Sequence, residues 1–294
     1  MKRCLHCATT HNAIDWQCPG CGKVPDRVDS FPIMAPDLAQ GGAGFPSEAF
    51  DALACVEAES FWFRARNRLI VWALRRHFPN MQHYLEIGCG TGYVLAGVAE
   101  AYPDSAITGS EVFSVGLPFA AERVAKARFL QMDARQIPYV DEFDVIGAFD
   151  VLEHIEEDEP VLAEMFRALR PGGGIAITVP QHPWLWSQQD ENACHVRRYL
   201  MSELRKKVQQ AGFKVELETS FVSLLLPAMM ASRLSSKKIP PDGKSKSSEL
   251  QLPGFINRAF EGVMYLERLL IRSGIRFPVG GSLLLIARKP REAK

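Results

Sequence analysis

The stretch YLEIGCGTGYVLAGVAE, Tyr84 to Glu100, predicts a short strand, a glycine-rich turn and a helix. An apolar run comes first, three glycines follow at alternate positions, and a helix-like segment begins after Gly92. A turn of this kind between a strand and a helix binds a dinucleotide, a triphosphate or a cofactor with no phosphate. The glycines by themselves leave these three ligands open.

Two residues beside the glycines distinguish between the ligands. A dinucleotide turn needs a third glycine where this chain has Tyr93, and a triphosphate turn needs a Gly-Lys-Ser/Thr ending that this stretch lacks. Glu86 stands two residues before Gly88, and a carboxylate there repels a phosphate. The turn therefore favours a ligand that carries a positively charged amino group.

Strand-like and helix-like segments alternate along the chain from His83 onward. The strand-like segments include SAITGSE, FDVIGAFD, GGIAITVP and FKVELETSF, and the last one is GGSLLLIARK. Such alternation predicts an α/β fold, with a mostly parallel sheet covered by helices on both faces. An apolar and then polar segment at about 222–278 interrupts the pattern and predicts a helical insertion before the last strand.

LEIGCGTG resembles motif I of the class I S-adenosylmethionine-dependent methyltransferases, and further motifs agree at matching places from Tyr84 to Lys289. The resemblance extends to small-molecule and ubiquinone-biosynthesis-like methyltransferases. It implies a Rossmann-like, doubly wound, seven-stranded sheet whose last strand is antiparallel. It also implies S-adenosyl-L-methionine as cofactor and methyl transfer to an oxygen, nitrogen or carbon atom.

The same resemblance implies a set of cofactor contacts. Glu111 matches the residue that accepts hydrogen bonds from the ribose hydroxyls, and Asp133 with Ala134 matches the adenine contact. Asp150 to Leu152 match the motif that borders the cofactor. The cofactor-binding residues expected from the motifs are Glu86, Gly88, Cys89, Gly90, Gly92, Glu111, Val112, Asp133, Ala134, Asp150, Val151 and Leu152.

The loop VPQHPWLWSQQDENACHVRRYL, which follows the fifth strand, resembles the acceptor segment of many methyltransferases. His195 is the predicted base, since the pKa of histidine lies near neutrality, and Arg198 is predicted to hold an anionic substrate group. His154 and Tyr199 complete the catalytic candidates. A purely structural loop is an alternative, as is a divalent-metal site formed by Asp150, His154 and His195. For Glu153 we expect a favourable position at the start of a helix.

Four cysteines near the N-terminus form two Cys-x-x-Cys pairs. The thiolates of such pairs point at one tetrahedral ion, and the pattern resembles a zinc ribbon. We therefore predict structural zinc on Cys4, Cys7, Cys18 and Cys21. The predicted domains are a ribbon at 1–25, a linker at 26–45, a helical cap at 46–80 and the methyltransferase domain at 81–294.

The composition of the chain indicates which classes of partner the protein is expected to bind. The 294 residues contain 34 basic and 34 acidic side chains, so no global basic field favours nucleic acid. The longest apolar run is too short to span a bilayer. Seven cysteines, four of them in close pairs, favour a reducing, cytoplasmic compartment.

The acceptor stays open between a small molecule, a lipid-linked compound and a glycan. The ribbon is expected to dock a protein partner or to be structural. The insertion helix either packs on the domain, covers the substrate or contacts a membrane surface. Two rival functions are an NAD(P)-dependent oxidoreductase and a non-catalytic zinc-ribbon binding module.

Overall fold

The computed structural model describes residues 1–39, 48–236 and 252–291. These ranges form a small N-terminal hairpin and a nine-stranded sheet with helices on both faces. The strands are β1 (Lys2–Arg3), β2 (Thr10–His11), β3 (Asp26–Val28), β4 (Phe31–Ile33), β5 (His83–Ile87), β6 (Ala106–Glu111), β7 (Arg128–Gln131), β8 (Phe143–Phe149), β9 (Leu169–Pro180), β10 (Lys214–Phe221) and β11 (Ser282–Arg288). The α-helices are α1 (Pro36–Ala39), α2 (Glu48–Val56), α3 (Phe61–His77), α4 (Tyr93–Ala101), α5 (Leu117–Arg123), α6 (Asp158–Ala168), α7 (Gln188–Asn192), α8 (Met201–Gln210), α9 (Leu226–Ser236) and α10 (Gly254–Arg272).

The order of strands in the large sheet is β10-β11-β9-β8-β5-β6-β7-β4-β3. Strands β5 to β9 run parallel to one another, whereas β11 is antiparallel to both β9 and β10. The seven strands from β10 to β7 confirm the predicted doubly wound α/β sheet with an antiparallel last strand. The sheet is nine-stranded, however, because β3 and β4 extend it.

The core lies on both faces of the sheet. Successive strand residues point to opposite faces, so Leu284 packs with the helices of one face and Leu285 with those of the other. Helices α3, α4, α5 and α10 cover the first face, and α6 and α8 cover the second. Near-continuous apolar strands such as β11 are what a sheet buried on both faces requires.

The predicted linker at 26–45 is wrong over its first part, because β3, β4 and α1 lie there; residues 40–45 lie outside the described ranges. Strand β4 pairs with β7 in parallel, with Ile33 opposite Gln131. The Phe31 ring packs edge-on against Phe129, with 6.2 Å between centroids. These long-range contacts override the proline- and aspartate-rich composition that suggested a linker.

Gln131, the last residue of β7, joins this N-terminal segment to the sheet. Its fully buried side chain accepts a hydrogen bond from the Ala35 N–H at 2.9 Å and donates to the Ala35 carbonyl at 2.8 Å. It also donates to the Val112 carbonyl at 2.9 Å. One amide side chain thus connects the segment after β4 to the loop after β6.

The predicted insertion at 222–278 contains α9 and α10, and residues 237–251 lie outside the described part. Helix α10 packs on α3, where the Asn257 side chain accepts the Phe61 N–H at 2.8 Å and Glu261 pairs with Arg64 at 2.5 Å. This packing favours the prediction that the insertion helix packs on the domain. Among the described residues, no helix is both long and apolar enough to cross a bilayer.

Glu267 on α10 is a buried acidic residue. Its carboxylate accepts the backbone N–H groups of Val222, Ser223 and Leu224 at 2.7, 2.7 and 2.8 Å. Burial raises the pKa of Glu267, while these three bonds oppose the rise. Glu267 therefore fixes the turn that leads from β10 into the insertion.

Replacing Gln131 by leucine should lower the free energy of unfolding by about 2–4 kcal/mol, because it leaves buried backbone groups without partners. Urea denaturation measures this loss. Gln209→Leu, on the exposed part of α8, is the matched control and should change stability by less than about 0.5 kcal/mol. Equal losses in the two variants would contradict the role given to Gln131.

Candidate active site

The glycine turn lies between β5 and α4, as predicted. Its three glycines have positive φ angles of 63° at Gly88, 53° at Gly90 and 79° at Gly92. A Cβ atom on Gly88 would lie 2.6 Å from a methyl carbon of Val151, whereas a Cβ on Gly90 would meet no described atom within 4 Å. The turn is therefore packed tightly against the loop after β8 and leaves open space beside Gly90.

Glu111, at the end of β6, holds this turn in place. Its buried carboxylate accepts N–H groups from Gly90 at 2.9 Å, Val112 at 2.8 Å and Phe113 at 3.3 Å. Burial raises the pKa of Glu111, and these three bonds oppose the rise. A carboxylate offers about four acceptor positions, so roughly one is left for a ligand hydroxyl. A diol that bonded through both hydroxyls would displace the Gly90 N–H.

Glu86 lies beneath the turn at 2% exposure. It accepts a hydrogen bond from the Tyr84 hydroxyl at 3.0 Å. Burial raises the pKa of Glu86 to about 8, although the Tyr84 bond and the charge of Arg66 act against the rise. The Glu86 carboxyl is consequently neutral at pH 7, and a nearby ligand cation would favour its ionised form.

Arg66 brings α3 to the same site. Its buried guanidinium pairs with Asp150 at 2.6 Å and lies 5.0 Å from the centre of the Trp62 ring. Asp150 has a positive φ of 58°, an uncommon backbone conformation for a non-glycine residue. The adjacent Val151 packs against Gly88 of the turn, and the cofactor contact predicted for Asp150, Val151 and Leu152 stays a prediction.

A second buried network supports the turn from α2 and α5. The Thr91 hydroxyl donates to both Glu57 oxygens at 2.7 Å, and Arg123 donates to Glu57 at 2.8 Å and to Thr91 at 3.0 Å. No motif predicts this network, because Glu57 follows a helix at a position without a recognisable pattern. Only the packing of α2 over the turn brings its carboxylate there.

The adenine contact predicted for Asp133 and Ala134 stays a prediction. Arg135 donates its backbone N–H to Asp133 at 2.9 Å, and its guanidinium pairs with the same carboxylate at 2.9 Å. An adenine amino group would therefore compete with Arg135 for Asp133. The nearby Ala134 is buried.

His195 in the acceptor loop is oriented by Asp190. The His195 Nδ1 atom lies 2.9 Å from Asp190 Oδ1, and the same oxygen accepts a hydrogen bond from Arg198 Nε at 2.7 Å. Burial raises the pKa of Asp190, but the bonds from His195 and Arg198 outweigh it and hold the pKa at about 2. Arg198 also donates to the Gln181 carbonyl at 3.1 Å. These contacts favour a structural role for Arg198 over the predicted anion-holding role.

Tyr199 is fully buried. Its hydroxyl donates to the Asp158 carboxylate at 2.6 Å and lies 3.2 Å from the Leu152 carbonyl. Because the hydroxyl is bonded to groups of the protein itself, the structure favours a structural role over the predicted catalytic one. Tyr199 holds the start of α6 against the loop after β8.

His154 and Glu153 lie opposite His195. The His154 and His195 rings meet edge to face with centroids 4.8 Å apart, and burial lowers the pKa of His154 to about 4, with the His195 charge adding to the shift. Glu153 is completely buried, and burial raises its pKa well above the usual range. Glu153 lies in the first turn of a short 3-10 helix, Leu152–His154, which agrees with the helix-start position expected for it. Its side chain is buried in the protein.

The four N-terminal cysteines converge as predicted. The Sγ atoms of Cys4 and Cys21 are 3.7 Å apart, and those of Cys7 and Cys18 are 3.5 Å apart. Tetrahedral zinc with Zn–S bonds of about 2.3 Å requires Sγ–Sγ distances of about 3.8 Å. The donor set and its spacing fit zinc.

Residues 85–177 match the family model described as a methyltransferase domain. A "probable S-adenosylmethionine-dependent methyltransferase" of Mycolicibacterium smegmatis is 30% identical over 171 residues, which cover 54% of this chain and 61% of that protein. Residues 85–177 therefore match a methyltransferase domain, and the chain spans less than two thirds of the length of this relative.

Solved structures agree with this domain in fold. Phosphoethanolamine N-methyltransferase 2 of Haemonchus contortus, in complex with S-adenosyl-L-methionine, is 17% identical with a TM-score of 0.55, and the match covers 84% of this chain and 58% of that one. A chain from the complex of the Haloferax volcanii Trm112 methyltransferase activator with a methyltransferase is also 17% identical, with a TM-score of 0.55 and coverage of 84% and 99%. At these identities the likeness concerns the fold of the methyltransferase domain.

The raised pKa of Glu86 predicts how the stability of the protein depends on pH. Folded Glu86 keeps its proton up to about pH 8, whereas the unfolded chain releases it above about pH 4.5. Rising pH therefore favours unfolding. From pH 6 to pH 8 the wild-type protein should lose about 2 kcal/mol of unfolding free energy relative to Glu86→Gln, measured by urea denaturation at each pH. Parallel pH profiles for the two proteins would show that Glu86 is already ionised.

Proposed function

We propose that this chain transfers the methyl group of S-adenosylmethionine to an oxygen, nitrogen or carbon atom of an acceptor by in-line displacement. The observation that carries the proposal is the open face of the turn at Gly90, bordered by two buried carboxylates. Glu86 suits the methionine ammonium group, and Glu111 has an acceptor position left for a ribose hydroxyl. The methyltransferase domain match over 85–177 supports the same assignment.

Calorimetric titration of the purified chain with S-adenosylmethionine, S-adenosylhomocysteine and NAD tests the proposal. Both sulfur compounds should bind, and NAD should not. Binding of NAD alone would favour the oxidoreductase, and no binding of any of the three would favour a non-catalytic module. Glu111→Ala should abolish cofactor binding, because it removes both the ribose acceptor and the tie to Gly90.

The matched control is Glu122→Ala, which removes an exposed carboxylate on α5. This variant should bind S-adenosylmethionine like the wild type. Thermal melting of both variants shows whether lost binding reflects lost folding. Unchanged cofactor affinity in folded Glu111→Ala would refute the ribose assignment.

We propose that His195 is the general base that takes a proton from the methyl acceptor. Its hydrogen bond to the ionised Asp190 orients the ring and supports a positive charge on it after proton uptake. The ring lies in the loop after β9, at the carboxyl end of the strands where open α/β sheets bind ligands. His154, packed against the His195 ring, belongs to the same group.

We propose an apolar or lipid-linked acceptor of small size. Trp184 and Trp186 in the acceptor loop are 56% and 39% exposed, and α10 exposes Phe255, Tyr265 and Leu266. Exposed aromatic and aliphatic side chains of this kind are typical of surfaces that meet an apolar ligand. Mass spectrometry of reaction products, with isotopically labelled S-adenosylmethionine and candidate apolar, glycan and polar acceptors, identifies the class that takes the label.

We propose that the four-cysteine site holds zinc with a structural role, in a chain that works in the reducing cytoplasm. The ribbon is joined to the loop before β8: Arg3 donates its N–H to the Pro138 carbonyl at 3.0 Å, and Trp16 packs on Tyr139 with centroids 5.5 Å apart. Contacts within the chain support an internal docking role for the ribbon rather than a partner-binding one.

Untreated protein should contain about one zinc ion per chain, measured by atomic emission. Cys18→Ser should lose that zinc and melt at lower temperature, since it removes a buried thiolate ligand. Cys55→Ser, an exposed cysteine after the middle of α2, is the matched control and should keep both zinc and melting temperature. Less than half an equivalent of zinc in the wild-type protein would count against the site.

A further inference from the structure

Helix α10 is apolar on both of its faces. Its inward face packs on the domain through Met264 and Ile271, which belong to the core. The apolar residues of its outward face are Phe255, Tyr265, Leu266 and Leu269, with exposed fractions of 77%, 53%, 51% and 38%. A helix that packs on a domain normally carries polar and charged residues on its outward face. Packing on the domain therefore does not explain the outward face of α10, and an exposed apolar patch of this kind marks an interaction site.

The outward face of α10 also carries charge of one sign. The exposed residues of the helix recur with its period and form one continuous strip. They are Gly254, Phe255, Arg258, Ala259, Gly262, Tyr265, Leu266, Leu269 and Arg272. Two of them are arginines and none is acidic. The outward face is thus apolar and basic.

The two acidic residues of α10 are both held by the domain. Glu261 pairs with Arg64 and Arg68 of α3. Glu267 is buried and accepts three backbone N–H groups in the turn after β10. Neither carboxylate is left to neutralise Arg258 or Arg272 on the outward face.

Arg268 adds a third positive group beside this face. It is partly buried, and its guanidinium lies 5.4 Å from the centre of the Tyr265 ring. Burial lowers the pKa of Arg268, and the charges of Arg68 and Arg272 add to the shift. Its Nε atom has no hydrogen-bond partner among the described residues. Mutual repulsion therefore acts on these arginines, and an anionic partner at the outward face would relieve it.

The apolar surface continues beyond the helix. Leu224 is 39% exposed, and its N–H is bonded to Glu267 at 2.8 Å. Ile275, which follows the end of α10, is 45% exposed and donates its N–H to the Leu270 carbonyl at 3.1 Å. The surface thus includes the two chain segments that flank the helix.

The charge on the outward face distinguishes between possible partners. In a symmetric dimer the same patch occurs on both subunits, so the arginines of one face would meet those of the other. Like charges placed together in this way oppose association. A bilayer with anionic lipids offers phosphates to the guanidinium groups and an apolar phase to the aromatic and aliphatic side chains. The combination of both features favours the bilayer.

We propose that the outward face of α10 binds the surface of an anionic lipid bilayer. Phe255, Tyr265 and Leu266 enter the boundary between headgroups and acyl chains, where aromatic side chains are enriched. Arg258 and Arg272 pair with the lipid phosphates. Amphipathic helices that bind in this way lie in the plane of the membrane, with the apolar face buried by about 5–10 Å.

Co-sedimentation of the full-length chain with unilamellar vesicles tests this surface. One set of vesicles contains phosphatidylcholine with about 30% phosphatidylglycerol, and the other contains phosphatidylcholine alone. The chain should bind the anionic vesicles at least about tenfold more tightly. Raising the ionic strength from about 0.1 M to about 0.5 M should weaken that binding, because salt screens exposed charges. Equal binding to both sets, or no binding to either, would overturn the proposal.

Substitutions on the outward face separate the two contributions. Arg258→Gln and Arg272→Gln should each weaken binding to anionic vesicles roughly fivefold, because each removes one charge near the phosphates. Phe255→Ser should weaken it about tenfold or more, because it removes the most exposed ring of the helix. Thermal melting of these surface variants should match that of the wild type.

Two matched controls change similar groups elsewhere on the chain. Lys206→Gln removes an exposed positive charge from α8, on the other face of the sheet. Ile14→Ser removes a fully exposed apolar side chain from the ribbon. Both controls should bind anionic vesicles like the wild type. If they lose as much binding as the α10 variants, the outward face is not the docking surface.

Sedimentation velocity without vesicles tests a second copy as the partner. The wild-type chain and Phe255→Ser should have the same mass in solution. If Phe255→Ser dissociates a dimer and leaves vesicle binding unchanged, the outward face joins two copies and the membrane proposal is wrong.

Bilayer binding would place the chain at the phase that holds a lipid-linked acceptor. This consequence rests on the proposed function, whereas vesicle binding itself does not. Vesicle binding without S-adenosylmethionine binding would keep the membrane surface and refute the methyltransferase function. S-adenosylmethionine binding without vesicle binding would do the reverse.

Discussion

The hydrogen bond from the Gly90 N–H to Glu111 is the interaction on which the candidate site depends. It joins the turn after β5 to the loop after β6, two segments that the parallel sheet places side by side but does not bond to each other. A glycine turn with three positive φ angles has several accessible conformations when free, and fixing them costs conformational entropy. Glu111 offsets part of that cost because its carboxylate is itself fixed by the N–H groups of Val112 and Phe113.

Buried carboxylates recur throughout the protein, and their partners show what each one does. Glu57 is hydrogen-bonded to Thr91 and Arg123. Glu267 accepts three backbone N–H groups. Because their partners belong to the protein, these two carboxylates have a structural role. Glu86 accepts a bond from the neutral Tyr84 hydroxyl and has a pKa near 8, and the side-chain oxygens of Glu153 have no described partner. Burial raises the pKa of both carboxyls, which lie before the glycine turn and in the loop after β8.

The parts of the fold that could be predicted from the sequence are those whose signal is local. Apolar runs of strand length, the glycine turn and the cysteine pairs each carry their pattern within about twenty residues, so β5 to β11 and the cysteine cluster were found. Strands β3 and β4 were missed because each has only three residues and because β4 joins the sheet through a distant partner: Ile33 pairs with Gln131, almost a hundred positions away. Glu57 was missed because no spacing along the chain tells which residue beside a helix will face the turn. The burial of Glu153 could not be predicted, because burial is visible only in three dimensions.

Helix α3 connects the insertion to the acceptor side. On one face of α3, Arg64 pairs with Glu261 of α10, and two residues later Arg66 pairs with Asp150 in the loop that carries Glu153 and His154. The two ion pairs differ in burial. Arg66 is buried, so the loss of its Asp150 partner would leave an uncompensated charge inside the protein, which is strongly unfavourable. Arg64 and Glu261 are partly exposed, so their pair contributes less. The contact between α3 and the loop after β8 therefore depends on its ion pair more strongly than the contact between α3 and α10 does.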